Sequence, residues 1–196
     1  AGDPDYEVVQ FDSTLNPAFP HAEYERARAT LPAWKFNMFY RGQFDRPAGL
    51  IYGDYSDEYR EAGGHLVHPF DLPPEWPRYG GLDFGGVNTA RILIAEDPKA
   101  KVYYVYNESL SGGKTTAEHA QEAKAATLGV NMRIWRGGAK SEEQQRRDYR
   151  AAGLWVREPD VADVEAGIDR VIALFKERRL YVFDSCKRLR DELGTY

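Results

Sequence analysis

Residues 79–108 read YGGLDFGGVNTARILIAEDPKAKVYYVYNE, and this run decides the fold. It holds three stretches rich in aliphatic and aromatic residues: Tyr79–Phe84, Thr89–Glu96 and Lys101–Glu108. Valine, isoleucine and tyrosine suit a pleated, half-buried surface. Gly85-Gly86 and Asp97-Pro98-Lys99-Ala100 supply the turn residues between them. Three consecutive strands are therefore predicted. Downstream the pattern alternates. A helix is expected over 115–128, stopped by Gly129, then a strand over 131–136 and a helix over 141–152 closed by Gly153. A brief strand at 154–157 leads to an amphipathic helix over 161–178, with Val164, Ile168, Val171, Ile172 and Phe175 on one face. A strand at 180–183 and a helix from Cys186 end the chain. Thr115 or Thr116 is the expected cap of the first helix, and Ser141 that of the second.

Working upstream, residues 1–78 read differently. They hold most of the eleven prolines and many aromatics, including Phe11, Phe19, Trp34, Phe36, Trp76 and Tyr40. Only residues 21–31 show a convincing helical pattern. Proline at that density favours extended and turn conformations, so an irregular linker or tail wrapped on its neighbour is expected there. Pro69-Phe70-Asp71-Leu72-Pro73-Pro74-Glu75-Trp76-Pro77 reads as a stiff connector into a domain spanning 79–196.

The chain has 196 residues, of which 42% are hydrophobic, enough for a globular core. Its formal charge of -5 argues against non-specific coating of nucleic acid but leaves room for a local basic patch. The lone Cys186 excludes an internal disulfide framework and a cysteine zinc cage, and fits a reducing compartment. No apolar run approaches the ~20 residues that span a bilayer, so no membrane association is expected. The chain begins with Ala1 rather than methionine, which suggests a fragment of something larger.

Asp83 carries the sharpest chemical signal. A carboxylate at the end of a strand, followed by glycines, lies at the sheet's carboxyl edge with open backbone beside it. Hard divalent cations take such oxygen ligands and keep positions for water and phosphate. An aspartate before glycine also simply caps turns, and spacing alone leaves both readings open.

The order β-β-β-α-β-α-β-α is that of the ribonuclease H-like nucleases and of the actin-like ATPases. More specifically, Pro69-Phe70, Pro73-Pro74-Glu75-Trp76-Pro77-Arg78-Tyr79 and Gly81-Leu82-Asp83-Phe84-Gly85 resemble the entry to the C-terminal nuclease domain of phage large terminase subunits. Asp12-Ser13-Thr14-Leu15-Asn16-Pro17, the strand Tyr103–Glu108 and the helix carrying Thr116, His119 and Ala120 fit the same family. The resemblance implies an α/β, ribonuclease H-like mixed sheet that hydrolyses DNA phosphodiesters with two divalent ions, Mg²⁺ or Mn²⁺. It implies double-stranded DNA as substrate, an ATPase domain in the same parent chain, and the small terminase subunit and portal as partners in the host cytoplasm.

Asp83 matches the family's first metal-binding carboxylate. The second is usually an aspartate ending the fourth strand, where this chain reads Trp135-Arg136-Gly137-Gly138-Ala139-Lys140. Glu142, or Glu143, is the nearest replacement. Both equally suit the acidic first turn of a helix. The third carboxylate normally lies in a closing helix beyond where this chain ends, leaving Asp184 and Asp191 as late candidates; Asp184 also suits an N-cap. Arg146-Arg147 with Arg150, Lys176 with Arg178-Arg179, and Lys187-Arg188 with Arg190 form three clusters that suit DNA phosphates or solvated helix faces. A non-cleaving clamp on DNA or portal is the alternative.

Other signals compete. Ser109-Leu110-Ser111-Gly112-Gly113-Lys114-Thr115 resembles a phosphate-cradling loop, keeping a P-loop NTPase open, although Glu108 stands where the motif's first glycine belongs. Leu82–Thr89 resembles the first phosphate loop of actin-like kinases, with no second loop in view. His65 and His68 flank a proline-rich loop but lack a third zinc ligand. Asp160, Asp163, Glu165 and Asp169 are expected along a solvated helix face.

Overall fold

The structure is a computed structural model that describes residues 11–30, 33–42, 51–161 and 163–195. Contacts divide the chain into one unit ending at Ile51 and another beginning at Tyr52. In the first, Asp12 caps a 3-10 turn at Ser13–Leu15 by accepting the Thr14 N–H at 2.9 Å. Helices α1 (His21–Thr30) and α2 (Ala33–Arg41) follow. The expected end of α1 at Leu31, and residues 1–10 and 43–50 of the expected linker, lie outside the described residues. Tyr24 meets Phe36 edge-on at 4.9 Å, and Phe36 stacks on Tyr40 at 5.5 Å. Helix α2 corrects the expectation of irregular chain there: Phe36 and Tyr40, four residues apart, share one side of a helix.

The second unit is a seven-stranded sheet with helices. Its elements are β1 (Leu66–Val67), β2 (Arg78–Asp83), β3 (Asn88–Asp97), β4 (Val102–Gly112), α3 (Thr116–Ala125), β5 (Met132–Gly137), α4 (Glu143–Ala151), β6 (Val156–Arg157), α5 (Val164–Lys176), β7 (Leu180–Phe183) and α6 (Lys187–Leu193). The strand order is β1-β7-β4-β3-β2-β5-β6. Only β3 runs antiparallel to its neighbours; β1, β7, β4, β2, β5 and β6 point the same way. Their carboxyl ends therefore share one edge. Residues from Tyr52 onward belong to this unit, and β1 extends the sheet beside β7. Arg78, almost fully buried, ties down the proline-rich connector by donating to the carbonyls of Trp76, Leu72 and Pro73.

Two clusters make the core. On one face, Leu82, Leu93, Trp135 and Val156 pack under Ala120 and Ala123 of α3 and Tyr149 of α4. The other gathers Tyr55, Leu66, Val105, Val182 and Phe175 around β1, β4 and β7. Gly80 explains part of the glycine-rich strand: an added Cβ would lie 2.1 Å from the Trp135 ring that covers it. Thr115 caps α3 in a full capping box with Glu118. Ser141 does not cap α4; Glu142 holds that position without a side-chain cap, its carboxylate accepting the Ala139 N–H of the preceding loop. Val164, expected on the apolar face of α5, is exposed at the helix's first residue. Among the described residues no helix is long and apolar enough to cross a membrane.

His65 is fully buried. Its Nδ1 accepts the Ser56 N–H at 3.1 Å, so its protonated Nε2 donates to the Phe175 carbonyl at 3.0 Å. Burial holds its pKa below the ordinary 6.5, against the opposing pull of the Phe175 hydrogen bond. The unfolded chain thus takes up a proton near pH 6.5 that the folded chain refuses until lower pH. Stability contributed by neutral His65 is complete above that value and declines as pH falls below it, at up to about 1.4 kcal/mol per pH unit. Urea denaturation between pH 7.5 and 5 is expected to show the decline (window set by the ordinary histidine value), and His65→Gln to flatten it. Equal slopes in the two proteins would remove His65 as the cause.

Candidate functional site

Asp83 ends β2, an interior strand, and is exposed at the carboxyl edge. Successive residues on a strand face opposite sides. Leu82 and Phe84 enter the core under α3 and α4, where Phe84 stacks on Tyr149 at 4.9 Å. Asp83 therefore projects from the other face, with Gly81. Beyond it the chain turns sharply: a Cβ at Gly85 would meet the Asn88 carbonyl oxygen at 2.2 Å. Among the described residues nothing donates a hydrogen bond to the Asp83 carboxylate, so it is not the cap of this turn. A hollow of about 270 Å³ opens beside it, floored by Gly81, Ala90 and Ile92.

Register places one row of residues across this face. Gly81 pairs with Ile92 of β3 and Arg136 of β5; Ile92 pairs with Glu108 of β4, and Arg136 with Arg157 of β6. Glu108 and Arg136 were not singled out from the sequence as neighbours of Asp83, and only strand register reveals them. Glu108 lies two strands away, about 10 Å across the sheet from backbone to backbone. Its carboxylate accepts the N–H groups of Arg188 and Leu189 at 2.9 and 2.7 Å, at the start of α6. Arg136 occupies the adjacent strand on Asp83's own face. Its guanidinium turns away to the Glu158 carbonyl and forms an ion pair with Asp160.

Glu142 and Asp184 do not join Asp83. The Glu142 carboxylate accepts the Ala139 N–H and lies against Gly138, which in turn packs on Phe84, on the helix-covered side. Asp184 follows β7, three strands from β2. It accepts from the Tyr59 hydroxyl at 3.0 Å and pairs with His68 Nδ1 at 2.7 Å, while its carbonyl accepts from Arg190. The Tyr59 hydrogen bond foremost, and then His68, hold the Asp184 carboxyl below its ordinary value. Nor is Asp184 a helix cap: Cys186 precedes α6. Among the described residues no three His, Cys, Asp or Glu side chains gather as metal ligands. His65 uses both ring nitrogens within the core, which removes it as a zinc ligand.

The basic clusters also separate. Arg146 is buried and donates to the carbonyls of Gly137, Ala139 and Lys140, a structural role in place of the expected DNA contact. Arg147 pairs with Glu143, and Arg150 lies over the Trp155 ring. Arg178 donates to the Gly64 carbonyl and Arg179 to that of Lys101, just before β7. They therefore sit at the sheet edge opposite Asp83. Lys187 and Arg188 begin α6 at the carboxyl edge, on Asp83's side. In the loop that resembles a P-loop, only Gly113, Lys114 and Thr115 separate β4 from α3, and Lys114 pairs with Glu122 at 2.6 Å. That leaves no wrap of backbone for phosphates.

No protein-family model matches the sequence, and no curated protein matches it significantly. Solved structures do match. The nuclease domain of the bacteriophage P22 large terminase superposes with TM-score 0.60 at 23% identity, over 76% of this chain and 79% of that one. The large terminase nuclease of the thermophilic phage G20c gives 0.55 at 16% identity, over 74% and 80%. The chain thus has the ribonuclease H-like fold of large-terminase nuclease domains.

Proposed function

We propose that this chain is the nuclease domain of a DNA-packaging terminase and that Asp83 is its first metal-binding carboxylate. The observation that carries the reading is a carboxylate free of partners among the described residues, at the open carboxyl edge of an interior strand, in a fold shared with terminase nucleases. One exposed carboxylate fits a weakly held, largely hydrated Mg²⁺. It does not make the paired-ion centre that the resemblance implied, because Glu142 and Asp184 are engaged elsewhere. When bound, divalent ions supply Lewis-acid chemistry to a phosphodiester. Asp83's own part is to fix charge at the strand edge, where Gly81, which has no side chain, and the methyl group of Ala90 leave room for a phosphate.

Plasmid nicking by the protein in Mn²⁺ tests this, beside an EDTA control and Asp83→Asn. The substitution keeps size and removes charge, and is expected to lower cleavage by roughly 100-fold, the upper scale for losing even an outer-shell partner of a metal ligand. Equal activity in Asp83→Asn, or activity that persists in EDTA, would sink the reading.

Arg136 favours a second reading, a clamp that grips DNA without cutting it. The strand beside Asp83 carries Arg136 and ends in Gly137, where the family's second carboxylate would stand, and Arg136 itself is paired with Asp160. A clamp would bind duplex with affinity that falls steeply with salt and ignores metal. Metal-independent binding without nicking would decide for it.

A further inference from the structure

Strand β6 is the last in the sheet, two strands from β2, and of its residues only Arg157 falls in the row that crosses Asp83's face. Leu154 and Val156 point into the core, which turns Trp155 outward; the residue is two-thirds exposed. The Arg150 guanidinium lies 4.7 Å from the ring centroid. A hollow of about 410 Å³ lies to one side, lined by Arg146, Arg147, Arg150 and Arg157 with Glu143 and Glu158. A second of about 320 Å³ is lined by Arg133, Trp155 and Arg157. Arg157 is common to both and has no ion pair among the described residues. In a chain of net charge -5, this edge concentrates guanidinium groups around an exposed aromatic face.

We propose that this edge binds an unpaired nucleic-acid strand, with a base stacked on Trp155 and phosphates held by Arg157 and Arg147. Duplex bases already stack on each other and offer no face to an indole, whereas every unpaired base does. Arginine beside the ring adds cation–π attraction and pairs with phosphate oxygens. The proposal rests on the reading of the chain as a DNA-acting domain only for its choice of polymer. It needs no metal, so it stands or falls apart from cleavage.

The test is fluorescence anisotropy of the full chain, in EDTA, with a labelled thymidine oligonucleotide of about 16 nucleotides, the upper site size of a single-strand-binding fold. A hairpin duplex is the comparison. Trp155→Ala is expected to weaken strand binding about tenfold or more and to leave duplex binding unchanged. Trp155→Phe should retain most of the affinity. Because Trp155 is exposed, both variants should unfold like the parent in urea. Arg157→Gln should flatten the slope of log affinity against log salt by about 0.7, the share of one phosphate contact on a single strand. The proposal is overturned if the unaltered protein does not bind the strand, or if Trp155→Ala binds it equally well. Equal weakening of strand and duplex binding, or an unchanged slope in Arg157→Gln, overturns it too.

Discussion

Phe175→Ala is expected to lower the stability of the sheet-bearing unit by about 3–5 kcal/mol, the range for deleting a buried aromatic ring. Phe175 is 1% exposed and is the pin of α5. Its ring lies 5.3 Å from Tyr55, 5.0 Å from His65 and 6.1 Å from Tyr52. Three rings meeting one side chain cannot all move into the void, so most of the cavity should persist. Urea denaturation measures the loss. Less than about 1 kcal/mol would mean the aromatic cage collapses at little cost, against the rigidity argued for it.

Arg146→Met should cost about 2–3 kcal/mol, although it preserves an unbranched stem of similar reach. The guanidinium serves the carbonyls of Gly137, Ala139 and Lys140 at 3.3, 2.7 and 3.2 Å. Without it these acceptors lose a charged donor, and the Gly137 carbonyl, at a buried residue, loses it away from water. Arg146→Lys should recover little, because a compact ammonium does not span three carbonyls as a planar fork does. Denaturation midpoints of the three proteins decide the matter. Full recovery by lysine would point to charge alone, and a loss of DNA affinity with stability intact would return Arg146 to the DNA surface.

The strand–helix order was legible because its punctuation is local. Asp97-Pro98, Gly129 and Gly153 mark ends that the structure places within a few residues, and β7 falls on 180–183 as expected. Strand β1 was not legible, since two residues carry no periodicity and their pairing partners Val182 and Phe183 lie far along the chain. The site divided in the same way. The placement of Asp83 at an open strand end could be read because a strand, a carboxylate and a glycine turn adjoin in sequence. What engages Glu142 and Asp184 could not: one depends on how a loop closes, the other on Tyr59 and His68, 125 and 116 residues away. Trp155 carried a readable signal, the alternation Leu154-Trp155-Val156, which turns the middle residue outward.

The two borders of the sheet are its shortest strands, β1 and β6, at two residues each, while the ten- and eleven-residue strands β3 and β4 lie inside. A border strand exposes unpaired amides and carbonyls to any passing chain, in proportion to its length. Two residues offer too short a template for a neighbouring copy to zip onto, and Arg157 places a charge on one of them. Copies crowded together on a shared polymer would therefore resist fusing sheet to sheet into fibres. Lengthening either border by a few aliphatic residues would be the shortest route to aggregation.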